Sequence, residues 1–164
     1  LEKYILLMLI SHAEEPAFKK LLLYSRRLIL SDTKIAIILL DTLEVWKKLN
    51  VTAFLMSGII GKHPELIGDQ YVDNSERQYL ALNRQPTVIL QANSILLEKI
   101  HGKIQSRGIN VSIYIHDMFN TGNDSENRKV VSTYNTEDLP IVGIGIREER
   151  KTVDKITKGA QLHP

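Results

Sequence analysis

The stretch Lys34–Gly61, KIAIILLDTLEVWKKLNVTAFLMSGIIG, decides the reading of the fold. Lys34 to Leu40 is an unbroken apolar run behind one lysine, with isoleucine at 35, 37 and 38. Such a run suits a strand covered on both faces. Asp41 and Thr42 then supply short polar side chains able to cap a helix. From Leu43 the period changes. Trp46, Leu49, Ala53, Met56 and Ile60 recur at three- and four-residue steps, which predicts one shared, core-facing helix stripe with Trp46 in the core. Polar Lys47, Lys48 and Asn50 crowd the start of this helix, beside the carboxyl end of the strand. In open α/β sheets, ligands bind at that end.

The rest of the chain builds outward from this unit. Thr87–Ala92 reads as a second strand, and Asn93 is placed to cap a helix over Ser94–Arg107 with Gly108 at its close. Leu96, Leu97, Ile100 and Ile104 form that helix's expected buried face. Asn110–Ile115 is a third strand, with His116 and Asp117 at its carboxyl end. Pro140–Ile146 is a fourth, whose glycines point to close approach by another backbone or a ligand and make Gly143 a candidate. Glu148–Thr157 closes with a short helix burying Val153 and Ile156. Between these elements, Gln70–Val72 and Arg77–Leu82 are spaced to pair as a hairpin, and the polar Thr121–Asp138 reads as a long loop or short helix.

The order β-α-β-α-β-β-α predicts a layered α/β domain over residues 34–164: a four-stranded, mostly parallel mixed sheet with helices on both faces. No helix separates the third and fourth strands, so that pair is expected to be antiparallel. Residues 1–33 read as a helical extension of two helices broken at Pro16, packed on the domain or on a second copy of the chain; a homodimer is expected on that ground.

Composition removes several functions. The formal charge is only +2, so no overall field draws in nucleic acid and no DNA partner is expected. The chain has no cysteine, which excludes thiol catalysis and a disulfide framework and fits a reducing, cytoplasmic setting. No apolar run approaches the roughly 20 residues of a spanning helix, so no membrane role is expected. The histidines (12, 63, 101, 116, 163) show no ligand spacing with carboxylates, and no P-loop or dinucleotide fingerprint occurs. Neither metal nor cofactor is expected. The late basic residues Arg147, Arg150, Lys151, Lys155 and Lys158 alternate with acids and read as a solvated helix face, with a phosphate-binding edge for an RNA ligand as the alternative.

Two groups of motifs resemble a known superfamily. Gly143-Ile144-Gly145 followed by Asp154-Lys155-Ile156-Thr157 is similar to the closing strand and helix of type II peptidyl-tRNA hydrolases, as is the strand ending in Asp117. The middle of the chain resembles an uncharacterised bacterial family of that superfamily. It carries Trp46-x-Lys48-Leu49-Asn50-Val51-Thr52-Ala53-Phe54-Leu55, then Ser57-Gly58-Ile59, His63-Pro64-Glu65-Leu66-x-Gly68, Asp73, Tyr79 and Pro86. The resemblance spans Lys34–Leu162. It implies the hydrolase fold and cleft, but not the full set of catalytic side chains. Asn50 stands where the hydrolases carry a lysine, Phe54 where they carry a glutamine, and Pro140 or its neighbours where they carry a threonine. Asp117 is retained, and Lys48 offers an earlier basic position.

The candidate catalytic residues are therefore Asp117 with Lys48 or Lys47, a carboxylate beside an ammonium being able to activate water on an ester carbonyl. The candidate ligand-binding residues are Asn50, Trp46, Thr52, His116 and Gly143. Three readings follow. The chain binds or processes a small molecule in the cleft without the full hydrolase set; or it hydrolyses peptidyl-tRNA or another aminoacyl ester, with a tRNA-like ligand; or it is a non-catalytic dimeric interaction module.

Overall fold

Strand β1 (Thr33–Leu40) runs through the middle of a sheet, and every side chain from Ile35 to Leu39 is buried. The apolar run is unbroken because both of its faces are covered. The computed structural model describes residues 32–164; the helices expected within 1–33, and any subunit contact made there, lie outside the described residues. The chain divides after Thr33, and Lys34–Pro164 is a unit of its own.

The sheet has five strands in the order β5–β6–β1–β4–β7, with β4 at Thr87–Ala92, β5 at Ser112–Ile115, β6 at Ile141–Glu149 and β7 at Gln161–Leu162. β1 and β4 are parallel, in register from Ile35 opposite Thr87 to Leu40 opposite Ala92. Both edge strands run antiparallel to their neighbours, β5 on β6 and β7 on β4. The antiparallel β5–β6 pair agrees with the sequence reading. The expected four-stranded, mostly parallel sheet does not: a fifth strand, only two residues long, closes the β4 edge. A segment so short carries no period, and only its pairing with Leu90 and Gln91 makes it a strand. A separate two-stranded hairpin, β2 (Tyr71–Val72) and β3 (Gln78–Tyr79), pairs as expected. Asp73 holds its turn by accepting from the Ser75 and Arg77 amides and the Tyr79 hydroxyl. Those bonds, Arg77's first, keep the Asp73 carboxyl below its usual range.

Helices cover both faces. Helix α1 (Val45–Lys62) lies on one; α2 (Ser94–Gln105) and α4 (Arg150–Ile156) lie on the other, where Leu97, Ile100, Ile104, Val153 and Ile156 pack with Ala36, Ile38, Ile144 and Ile146. Alternation along β6 explains the division. Ile144 and Ile146 face α2 and α4, so Gly143, Gly145 and Arg147 face α1. The two glycines let α1 descend onto the strand. A Cβ at Gly143 would lie 2.5 Å from Val51 Cγ1 and 3.0 Å from Leu55 Cδ1, and one at Gly145 would lie 3.2 Å from Ile59 Cδ1.

That contact selects the buried stripe of α1, and it is not the stripe the spacing predicts. Val51, Leu55 and Ile59 are buried; Trp46 is 56% exposed and Leu49 69%. The helix is apolar on more than one face, so period alone offers two stripes. The glycines of β6 admit the one whose residues are branched and close-packing. The cap also differs: Glu44 precedes α1 and makes no side-chain cap bond, while Asp41 and Thr42 lie in the turn before it. Asn93 does cap α2, accepting from the Leu96 amide at 2.9 Å, and Gly108 takes a positive φ of 61° after the helix. The polar 121–138 segment contains a further short helix, α3 (Asp124–Val131), capped by Asn123.

Candidate functional site

The stripe of α1 left uncovered by the sheet carries Trp46, Asn50 and Phe54, four residues apart and so one above another. Opposite them, a tight turn at His116–Asn120 follows β5. It turns Phe119 toward the helix. Phe119 lies 5.1 Å from Tyr114 and meets the Trp46 ring edge-on at 6.0 Å; Phe54 meets Tyr114 at 5.6 Å. Between them is a cavity of about 320 Å³, whose polar lining includes Asn50, Asn123 and Asn127. Trp46 and Phe54, each at least half exposed, present apolar surface on its wall.

The structure divides the residues singled out from the sequence. Trp46 and Asn50 line this cavity. Lys47 stands at its edge, its ammonium 5.2 Å from the Phe119 ring centre and 5.5 Å from that of Trp46, while it also pairs with Glu44 at 3.0 Å. His116 touches the outer edge of Phe119, with ring centres 6.0 Å apart. Asp117 follows it in the same turn. Its Oδ2 accepts a 2.6 Å hydrogen bond from the Tyr134 hydroxyl, and its Oδ1 lies 3.8 Å from His116 Nδ1. That hydrogen bond to a carboxylate is the largest cause of a raised Tyr134 pKa, because the phenol keeps the proton it donates.

Lys48 and Thr52 project elsewhere. They line a second, mostly apolar cavity with Leu39, Leu49, Ile89 and His163, and the Thr52 hydroxyl donates back to the Lys48 carbonyl at 2.8 Å. Lys47 and Lys48 therefore serve different hollows, as consecutive residues on a helix must. Gly143 lies beneath Val51 and Leu55, so the close approach it permits is that of α1. The reading of Arg147 as part of a solvated helix face is wrong: it is on β6 and its side chain is only 6% exposed.

Phe119, Tyr114, Asn127 and Tyr134 were missed from the sequence. The first two had a usable signal, since aromatic residues flanking a strand's carboxyl end in an α/β order lie where ligands bind. Asn127 and Tyr134 had none, because α3 reaches the site through a polar segment without period. Among the described residues, no cluster of three histidines, aspartates or glutamates is placed to hold a metal, and no helix is long and apolar enough to cross a membrane.

Residues 33–164 match the model of a family described as protein of unknown function (DUF2000). The chain belongs to this family. It is also similar to a solved structure of a protein of unknown function, Atu0240, from Agrobacterium tumefaciens strain C58. The two are 50% identical, with a TM-score of 0.79, over 81% of this chain and 98% of that one. No curated protein matches the chain. Likeness at this level carries the α/β fold across the family domain.

Proposed function

We propose that this family member is a ligand-binding domain of type II peptidyl-tRNA hydrolase-like layout, whose cleft after β5 takes a small molecule bearing a flat apolar group and amide-like hydrogen-bonding groups. The observation that carries this reading is the exposed Trp46–Phe54–Phe119 arrangement around Asn50 and Asn127. Aromatic walls reward a flat apolar group, and carboxamides fix its orientation without demanding a charge. The layout is supported by two positions. Asn50 and Phe54, which stand where the resemblance implies the hydrolases' lysine and glutamine, both line this cavity. Their replacement by an amide and a phenyl ring turns a catalytic wall into a binding wall. Asp117, bonded to Tyr134, ties the turn after β5 to the segment after α3 and so positions Phe119.

Trp46 is the chain's sole tryptophan, so its emission reports on this cleft alone. Titration with N-acetyl-phenylalaninamide is expected to shift that emission saturably. The leucine analogue should bind about ten-fold more weakly, and Asn50→Ala should weaken the aromatic probe about as much. Emission that does not respond to the aromatic probe would sink the proposal. Peptidyl-tRNA at low salt should not be cleaved; cleavage that disappears in Asp117→Ala would instead favour an ester hydrolase at this cleft.

A further inference from the structure

Where α1 ends, Arg147 takes the place on β6 that Gly143 and Gly145 hold beneath the helix. Its Nε donates to Gln85 Oε1 at 3.1 Å. Its Nη1 lies 3.1 Å from His63 Nδ1 and donates to Glu65 Oε1 at 3.3 Å. Its Nη2 is buried and has no hydrogen-bond partner among the described residues. A guanidinium only donates. His63 Nδ1 therefore either accepts from the guanidinium, with the ring proton on Nε2, or donates to Glu65 Oε1, which lies 3.3 Å from it.

Arg147 and His63 line a cavity of about 340 Å³, together with Lys62 from the last turn of α1 and Asn110 from the approach to β5. Among the described residues, no carboxylate lines it. Glu65 balances one face of the guanidinium from outside, and Lys62 adds a second positive charge. Gly58, also in the lining, lets α1 come close to β5, since a Cβ there would lie 2.6 Å from Ser112 Oγ. An unpaired, buried guanidinium nitrogen is costly, and one anionic oxygen would satisfy it, since Nε and Nη1 are already engaged.

We infer that this cavity is an oxyanion site, taking the carboxylate or phosphate of a small molecule, with the Arg147 guanidinium and the Lys62 ammonium as its positive charges and the His63 ring beside them. It is separate from the aromatic cleft: the two have Phe54 as a common wall, and neither needs the other to be occupied.

The test is thermal unfolding of the whole chain in inorganic phosphate and in malonate, with sodium chloride holding ionic strength constant. A saturable rise in Tm is expected with at least one anion. A response to phosphate alone assigns a phosphate ligand, to malonate alone a carboxylate, and to both the shared oxyanion chemistry. Lys62→Met, at an exposed position, and Arg147→Met should each weaken the response about ten-fold. No saturable rise with either anion would overturn the assignment. So would a folded Arg147→Met that titrates like the parent. Should Arg147→Met not fold, Lys62→Met decides, and an unchanged titration there counts against the site.

Discussion

Helix α1 carries two apolar stripes of nearly equal regularity, and they have opposite fates. Val51, Leu55 and Ile59 are sealed against β6, whereas Trp46 and Phe54 stand open beside a cavity. Neither hydrophobicity nor spacing separates them. The strand underneath does, because Gly143 and Gly145 remove the two side chains that would hold the helix away. A helix with apolar residues to spare thus has its core stripe chosen by its partner, and residues left over become the wall of a cavity.

The sharpest way to break this comparison is to fill the groove. Gly143→Val puts a Cβ within 2.5 Å of Val51 Cγ1 and adds two methyl groups beyond it. It should cost more than about 3 kcal/mol, at the upper end of overpacking penalties, and reads out as a lowered urea midpoint. Truncating one leucine from the buried stripe and one from the stripe predicted from spacing gives the next largest contrast. Leu55→Ala should cost about 3 kcal/mol, since the cavity it leaves is buried. Leu49→Ala, at a position the spacing placed in the core, should change stability by less than about 0.5 kcal/mol. Equal losses at 49 and 55 would mean that the stripe predicted from spacing is covered as well.

How much was legible follows from where each signal resides. The run Ile35–Leu39, the Asn93 cap, the Gly108 turn and the hairpin around Asp73 all stand as read, because each is set by neighbours in sequence. The fifth strand, the buried stripe of α1 and the burial of Arg147 were not legible in isolation, because each depends on a distant partner. Yet Gly143, Gly145 and Arg147 alternate along one strand, and that period-two pattern already set them on one face. Reading it against α1 would have named both the groove and the cavity at its end. The candidate residues fared likewise. Trp46, Asn50 and Lys47 gather at the aromatic cleft, while Lys48, next in sequence to Lys47, and Thr52 face a different hollow.

A smaller effect separates glycines by surroundings rather than by type. Gly102 sits inside α2, where an added Cβ meets nothing within 4 Å. Gly102→Ala should therefore stabilise by about 0.5–1 kcal/mol through helix propensity alone, opposite in sign to any side chain at 143.

The smallest expected effect contrasts the buried stripes of the two helices. That of α1 is wholly aliphatic, whereas that of α2 includes His101 beside Leu97, Ile100 and Ile104. His101 Nε2 lies 2.9 Å from Gln105 Nε2, so the ring nitrogen accepts from the amide and the imidazole is neutral. Burial lowers its pKa below the ordinary 6.5, since the charged ring would lose its hydration. The unfolded chain therefore binds this proton at a higher pH than the folded one does. Stability from this residue is fully present above about pH 6.5 and declines as pH falls from there toward the folded-state value. Urea midpoints measured from pH 8 to pH 5 should fall in the parent and fall less steeply in His101→Gln, which keeps a polar partner for Gln105 but does not titrate. Identical slopes in the two proteins would show that the stripe of α2 is as indifferent to protons as that of α1.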